Sequence, residues 1–427
     1  MTRGTLTVVA CVCAVLKSAP SLALAPIDYR DTLDKAVLGP TVDSMFENLF
    51  DPYVGYQHEY DNNLYRLPSA VTDLATLTGI GPHPRRYDDI NSVTGGVDAQ
   101  WQLGTRQSFD LALRADDNLY TYNTNLNNVS TDDSATWNWG MGSVFTGEVG
   151  VHYMRQLASF VNSDLYSRDI LNHSEYFAGA RYQAGPHWVI FAGALDALYS
   201  LSSRQSNGNN TRINEVEIGT ELAGDGTNSL GVDYRYTDAH ALSDIAIDTV
   251  IFHPDYHEES ARVLVKYVLS DKSTLDANAG YLRRSYPDSP LVTFSGYIGR
   301  INFQWQLSDK TQLVVRAYRQ LAADITAETD YFIATGGSIG PTWTLSEKFA
   351  IALTGAYDHR NYLGFTPGLN VVPGRRDNLP SESAIFTYNP ITALTITGAY
   401  SHEHRASNQQ EFLYDDDRAS VSAFFKF

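Results

Sequence analysis

Residues 303–320 read "FQWQLSDKTQLVVRAYRQ" and hold a four-residue polar core, Leu307-Ser308-Asp309-Lys310, between two runs of alternating residues. The same core begins at Leu269 in "YVLSDKSTLDANAGYLRR" and, as LSEK, at Leu345 in "PTWTLSEKFAIALTGAYDHR", two identical intervals of 38 residues. Ahead of Leu307, Ile301, Phe303 and Trp305 alternate with Arg300, Asn302, Gln304 and Gln306; after it, Leu313, Val315 and Ala317 alternate with Val314, Arg316 and Tyr318. A period of two is the signature of a strand. Each copy therefore predicts a β-hairpin about a tight polar turn, and the interval is one hairpin plus one further connection.

Applied along the chain, this reading places eighteen strands near 52–59, 92–102, 106–116, 133–140, 144–157, 172–183, 187–201, 211–222, 228–238, 256–268, 273–284, 292–306, 311–321, 331–344, 348–360, 377–388, 392–404 and 414–427. Many exceed the roughly 5 to 6 residues common in soluble sheets. Every second connection is short ("LGTR", "MGS", "AGPH", "AGDGTN", the three LSDK-type turns, "NPIT"), whereas the others include long polar stretches such as 61–91 and 240–255. Short turns on one side and long loops on the other mark an outer-membrane barrel. The expected fold is thus all-β, a transmembrane antiparallel up-and-down β-barrel of about 18 strands (16–18). A soluble sandwich or propeller predicts neither the strand length nor the asymmetry.

Composition agrees. Arg3, an apolar run over 6–16 and the small-x-small Ala23-Leu24-Ala25 read as a secretory signal over 1–25, followed by a short periplasmic lead over 26–48, where "DTLDKAVLG" suggests a brief helix, and a barrel over 49–427. Both cysteines, Cys11 and Cys13, lie in the signal, which leaves a thiol-free chain suited to an oxidising periplasm. Cleavage removes Arg3 and Lys17 and no acid, so 29 basic and 49 acidic side chains remain, a net charge of −20. That balance argues against nucleic-acid binding. No run of 18 apolar residues follows Ala25, which excludes membrane helices as the spanning element.

Opposite the apolar faces stand charges: Asp110 and Arg114; Glu215, Glu217 and Glu221; Asp233 and Arg235; Arg262 and Lys266; Asp276; Arg300 and Arg316; Asp358 and Arg360. At mid-depth on the lipid face each would cost about 2–4 kcal/mol, so they are expected to line the lumen. They could pair and merely solvate a channel, or form a polar track for a hydrophilic solute. Tyr234, Tyr236, Tyr267, Tyr281, Tyr357 and Tyr400 fall on the lipid-facing runs and are expected in an interfacial girdle. Three acids in "YDDDR" (414–418) cannot supply the 6–8 oxygens of a calcium site, and in "HEHR" (402–405) the two histidines share a face that Glu403 does not. No metal, cofactor or catalytic constellation is expected; Ser174 beside His173 has no orienting group. The closing strand "DRASVSAFFKF" ends on Phe425 and Phe427 on one face, an arrangement similar to the signal that the outer-membrane assembly machinery reads.

The segments "YDNNLYRLP" (60–68), "LSDKSTLDANAGYLRRSYP" (269–287), "GRINFQWQLSDKTQL" (299–313), "PTWTLSEKFAIALTGAYDHRNYLG" (341–364), "RRDNL" (375–379) and "SNQQEFLYDDDRASVSAFFKF" (407–427) resemble the EpsL-type outer-membrane proteins of exopolysaccharide biosynthesis clusters, allied to the β-barrel porins. The resemblance spans roughly 51–427. It implies a Gram-negative outer-membrane location with periplasmic termini, partners among outer-membrane lipid, lipopolysaccharide, the exopolysaccharide and other export proteins, and a conduit for exopolysaccharide. A general or nutrient-diffusion porin is the first alternative, and a structural or surface-anchoring barrel with a plugged lumen the second.

Overall fold

The computed structural model describes residues 49–427 except 75–76, 78–79, 82, 163–165, 204–209, 225–227, 244, 248–249, 253–254, 288–292, 324–330 and 364–373. The expected signal and periplasmic lead lie outside the described residues. In chain order the strands are β1 (Leu49–Asp61), β2 (Asp88–Gln102), β3 (Gln107–Tyr120), β4 (Asn128–Met141), β5 (Phe145–Leu157), β6 (Ile170–Gln183), β7 (Trp188–Leu201), β8 (Thr211–Ala223), β9 (Ser229–Ala241), β10 (Ile245–Ile247), β11 (Val250–Phe252), β12 (Tyr256–Ser270), β13 (Ser273–Ser285), β14 (Phe294–Ser308), β15 (Thr311–Ala323), β16 (Tyr331–Ser346), β17 (Phe349–Leu363), β18 (Arg376–Ile391), β19 (Leu394–Ser407) and β20 (Tyr414–Lys426). All but β10 and β11 belong to one antiparallel sheet of 18 strands, in which β9 pairs with β12 and β20 with β1. The second pairing closes the barrel. A strand of 13 residues, tilted as barrel strands are, rises roughly 30 Å, the thickness of a bilayer core.

The repeated turn has a local cause. In each copy the serine hydroxyl accepts the lysine N–H two residues on, Ser270 from Lys272, Ser308 from Lys310 and Ser346 from Lys348, all at 3.3 Å. The register also shifts at each of these serines. The lysine carbonyl then accepts from the next hairpin: Gln306 N–H to Lys272 at 2.6 Å, Thr344 to Lys310 at 2.8 Å and Asn389 to Lys348 at 2.8 Å. The 38-residue beat is therefore also a chain of turn-to-neighbour hydrogen bonds along one rim.

Alternation sets the two faces. On β8, Val216, Ile218 and Leu222 are exposed, while Glu215, Glu217 and Glu221 are buried; on β9, Leu230, Val232 and Tyr234 are exposed, while Asp233 and Arg235 are buried. In a closed sheet the exposed apolar face is the outer wall, so a slip of one residue would carry every one of these charges into lipid. Of the expected girdle, Tyr234, Tyr267, Tyr281, Tyr357 and Tyr400 are exposed and Tyr236 is half-buried.

Three expectations need correction. The strand expected from 133 begins at Asn128, because inward polar residues there bond across strands, as Asn118 Nδ2 does to Ser130 Oγ at 2.6 Å, and show no hydropathic alternation. The strand expected from 92 begins at Asp88, which shortens the first loop. The connection over 240–255 contains the β10–β11 hairpin, with Ile245 opposite Phe252.

Candidate functional site

On the inner wall at mid-height, β8, β9 and β12 bring together six of the charges singled out in the sequence. Arg235 donates from Nε to Glu217 Oε2 at 2.8 Å, and the same nitrogen lies 3.2 Å from Glu215 Oε1. Arg262 donates from Nε to both Asp233 oxygens at 3.1 Å and from Nη2 to Glu217 at 3.2 Å. Glu221 accepts from Arg181 at 2.6 Å. Glu217 thus takes hydrogen bonds from two arginines on two neighbouring strands. Arg235 is 2% exposed and Glu215 1%. Ions so desolvated persist only because each is paired.

The other four expected residues do not join this network in the same way. Lys266 stands directly opposite Asp276 on β13, Arg300 opposite Asn278, and Arg316 opposite Asn302. Lys266 and Arg316 are exposed, Asp276 and Arg300 half-buried. These four step round the wall on β12–β15, so the ten residues divide into a sealed ion-pair network and a more open polar arc.

The loop-side mouth holds a second network that sequence reasoning missed. Arg375 Nη2 donates to Asp377 Oδ2 at 3.0 Å and to Tyr362 OH at 3.2 Å, and its guanidinium lies 3.9 Å from the Tyr362 ring centre and 3.3 Å from that of Phe412. Arg405 donates to the same Asp377 from Nε at 2.8 Å and also to the backbone carbonyl of Val161. Val161 belongs to the connection after β5, and round the sheet the shorter way from β19 to β5 runs through β20, β1, β2, β3 and β4. That connection therefore crosses the mouth.

Two further connections meet it there. Leu64, Tyr65 and Leu67 after β1, Leu126 after β3 and Phe160 after β5 form one buried apolar cluster with Ile90. The "YDNNLYRLP" segment is tied down by its own side chains: Asn63 Nδ2 donates to the Leu67 carbonyl at 2.9 Å, Asn63 Oδ1 accepts from Leu67 N–H at 3.0 Å, and Tyr65 OH donates to Asn123 at 3.1 Å. Burial pushes the Tyr65 phenol up from its usual pKa. Arg66 adopts φ 57°, a left-handed backbone that costs on the order of 1 kcal/mol for a residue with Cβ. Its guanidinium lies 3.0 Å from Asp61 and 2.9 Å from Asp416.

Strand alternation was the available signal for this network. It divides "YDDDR": Asp416 faces Arg66 and Arg418 inside, whereas Asp415 and Asp417 meet His404 and His402 on the other face at 2.6 and 2.9 Å. It likewise sends Glu403 and Arg405 inward. Among the described residues no group of three His, Cys, Asp or Glu side chains could hold a metal ion. At the closing seam, Phe427 N–H donates to the Pro52 carbonyl at 3.0 Å, and the exposed Phe425 and Phe427 rings meet at 5.2 Å.

The family described as "Putative beta-barrel porin 2" matches residues 244–427. Among solved structures, OccK2 (OpdF) of Pseudomonas aeruginosa aligns at 9% identity over 88% of this chain and 98% of that one, with a TM-score of 0.48. The outer membrane protein OpdK of Pseudomonas aeruginosa aligns at 10% over 89% and 99%, with a TM-score of 0.46. A BenF-like porin from Pseudomonas fluorescens Pf-5 aligns at 10% over 88% and 99%, with a TM-score of 0.46. No curated protein matches the sequence. The closed 18-stranded sheet with its apolar outer wall, together with the porin-family match, makes the chain an outer-membrane, porin-like β-barrel.

Proposed function

We propose that the barrel admits small hydrophilic solutes, the diffusion-porin reading, in preference to the export of a polymeric glycan. The observation that carries this reading is the crossing of the mouth by the connection after β5, pinned where Arg405 meets the Val161 carbonyl. A glycan chain in transit needs an unobstructed bore along the whole axis. Small solutes need only the gaps beside a crossing loop, and eighteen strands leave width for those. The open arc of Lys266, Asp276, Arg300 and Arg316 is the proposed track, since ammonium and guanidinium groups donate to hydroxyls and carboxylates alike. The sealed Glu215–Glu217–Arg235–Arg262–Asp233 set is proposed as scaffold, because its donors already have partners inside the wall.

Swelling of liposomes carrying the purified barrel tests this. Monosaccharides should enter faster than trisaccharides, and polymeric dextran should be excluded. Passage of long glycans, or loss of secreted polysaccharide when the gene is deleted, would restore the exopolysaccharide role. Exclusion of every sugar and ion would favour the plugged, structural alternative.

A further inference from the structure

The outer wall carries a furrow with a polar ledge along its loop-side end. Its volume is about 720 Å³ and its lining is chiefly apolar. The floor is Ala178 on β6 and Ala194 on β7, directly paired; Val149 on β5 borders Ala178, and Val216 on β8 borders Ala194. Tyr176, Val149 and Val216 stand exposed as the banks. One hydrogen-bonded level nearer the loops, the outward residues change character. Asp196, Asn214, Asp238 and His257 lie side by side on β7, β8, β9 and β12.

The side chains of this ledge are interlinked, as outward polar pairs are elsewhere at the loop-side level of the wall, such as His402 with Asp417, but here they adjoin an apolar furrow. Arg212 Nη2 donates to Asp196 Oδ2 at 2.5 Å, His257 Nδ1 lies 2.7 Å from Asp238 Oδ1, and His240 bridges Asp238 at 2.9 Å and Asp255 at 3.2 Å. Arg212, His240 and His257 nevertheless keep 56%, 49% and 40% of their side-chain surface exposed. Such groups require polar company at their depth, because an unpaired charge toward lipid is costly. A trough of hydrocarbon width that ends on a guanidinium, imidazoles and carboxylate acceptors matches a lipid with acyl chains and a headgroup bearing both phosphate and sugar hydroxyls.

We infer that the β5–β12 face is a binding site for an outer-leaflet glycolipid of the lipopolysaccharide type, with acyl chain in the furrow and phosphorylated sugar on the ledge. Two other occupants fit less well. The floor spans two strands, about 5 Å between their axes, too narrow for a helix about 10–12 Å across. A second copy would present another convex barrel wall, which cannot enter a furrow.

Native mass spectrometry of the detergent-purified barrel tests the site, with deep-rough lipopolysaccharide as probe and phosphatidylglycerol as competitor. The wild type should retain a single glycolipid that phosphatidylglycerol does not displace. Ala194→Phe, which fills the floor, and Arg212→Gln, which removes the exposed cation, should each reduce retention about tenfold, the equivalent of a 1.4 kcal/mol loss. Both variants should keep heat-modifiable migration. Equal retention by wild type and both variants, equal displacement by the phospholipid, or a wild-type dimer that Ala194→Phe dissociates would each overturn the inference.

Discussion

Arg405 on β19 donates a hydrogen bond to the carbonyl of Val161, 244 positions earlier in the chain, and so ties β19 to a connection rooted six strands away round the barrel. The same guanidinium holds Asp377, which Arg375 also holds. Substitution of Arg405 therefore frees the crossing loop but leaves Asp377 one arginine partner. In Arg405→Gln, loss of a charge-assisted hydrogen bond, worth roughly 1.5–3 kcal/mol, should raise loop opening at least about tenfold. Limited proteolysis within 158–169 and single-channel conductance should both increase. Unchanged cleavage and conductance would show that the loop is held by its apolar cluster alone.

Glu217 accepts from Arg235 and from Arg262, so Glu217→Gln takes a charged acceptor from two buried guanidinium groups, which keep Glu215 and Asp233 beside them. Losing a hydrogen bond between buried charged groups costs roughly 1.5–3 kcal/mol, against within about 0.5 kcal/mol for an exposed substitution such as Arg316→Gln. The first variant should unfold at distinctly lower urea, or lose its heat-resistant fast-migrating form at lower temperature, while the second behaves as wild type. Equal midpoints would mean that water reaches the Glu217 network.

The strands were legible because lipid imposes a strict alternation, and "TLDANAGYL" or "VEIGTEL" shows it without help from tertiary structure. The early part of β4 was not, since the outward residues over 128–134 are hardly less polar than the inward ones and the strand is held instead by bonds such as Asn118 to Ser130. The inward charges were legible as a set, but their pairing was not, because partners such as Arg262 and Glu217 are 45 residues apart and meet only through the register of β8, β9 and β12. Arg405 was hidden differently. Its motif drew attention to His402 and His404, whereas alternation sends those outward and Arg405 in, and its contact with Val161 depends on a loop fold that periodicity does not encode.

Phe427 stands at the end of β20, where its N–H closes the seam against Pro52 and its ring packs edge-on to Phe425. If the assembly machinery reads this terminal aromatic, Phe427→Ser should slow insertion severalfold and leave the final barrel nearly as stable, since the ring is 72% exposed. The heat-modifiable fraction after a short pulse of expression should fall, while its urea midpoint once folded stays unchanged. Normal insertion kinetics would place the signal elsewhere.

Arg300 and Arg316 sit on the open arc, on neighbouring strands β14 and β15, each opposite an asparagine. Replacing both by Gln keeps length and polarity and removes two positive charges from a wall whose acids, Asp276 among them, remain. Folding should survive, because Arg316 is exposed and Arg300 is only half-buried. In a salt gradient across a planar bilayer the reversal potential should move toward cation selectivity, and entry of anionic solutes such as a uronate should slow more than entry of a neutral sugar. A neutral sugar slowed as much as the uronate would point to a change in bore rather than charge. An unchanged reversal potential in a well-folded variant would remove these two arginines from the solute path and leave them as wall.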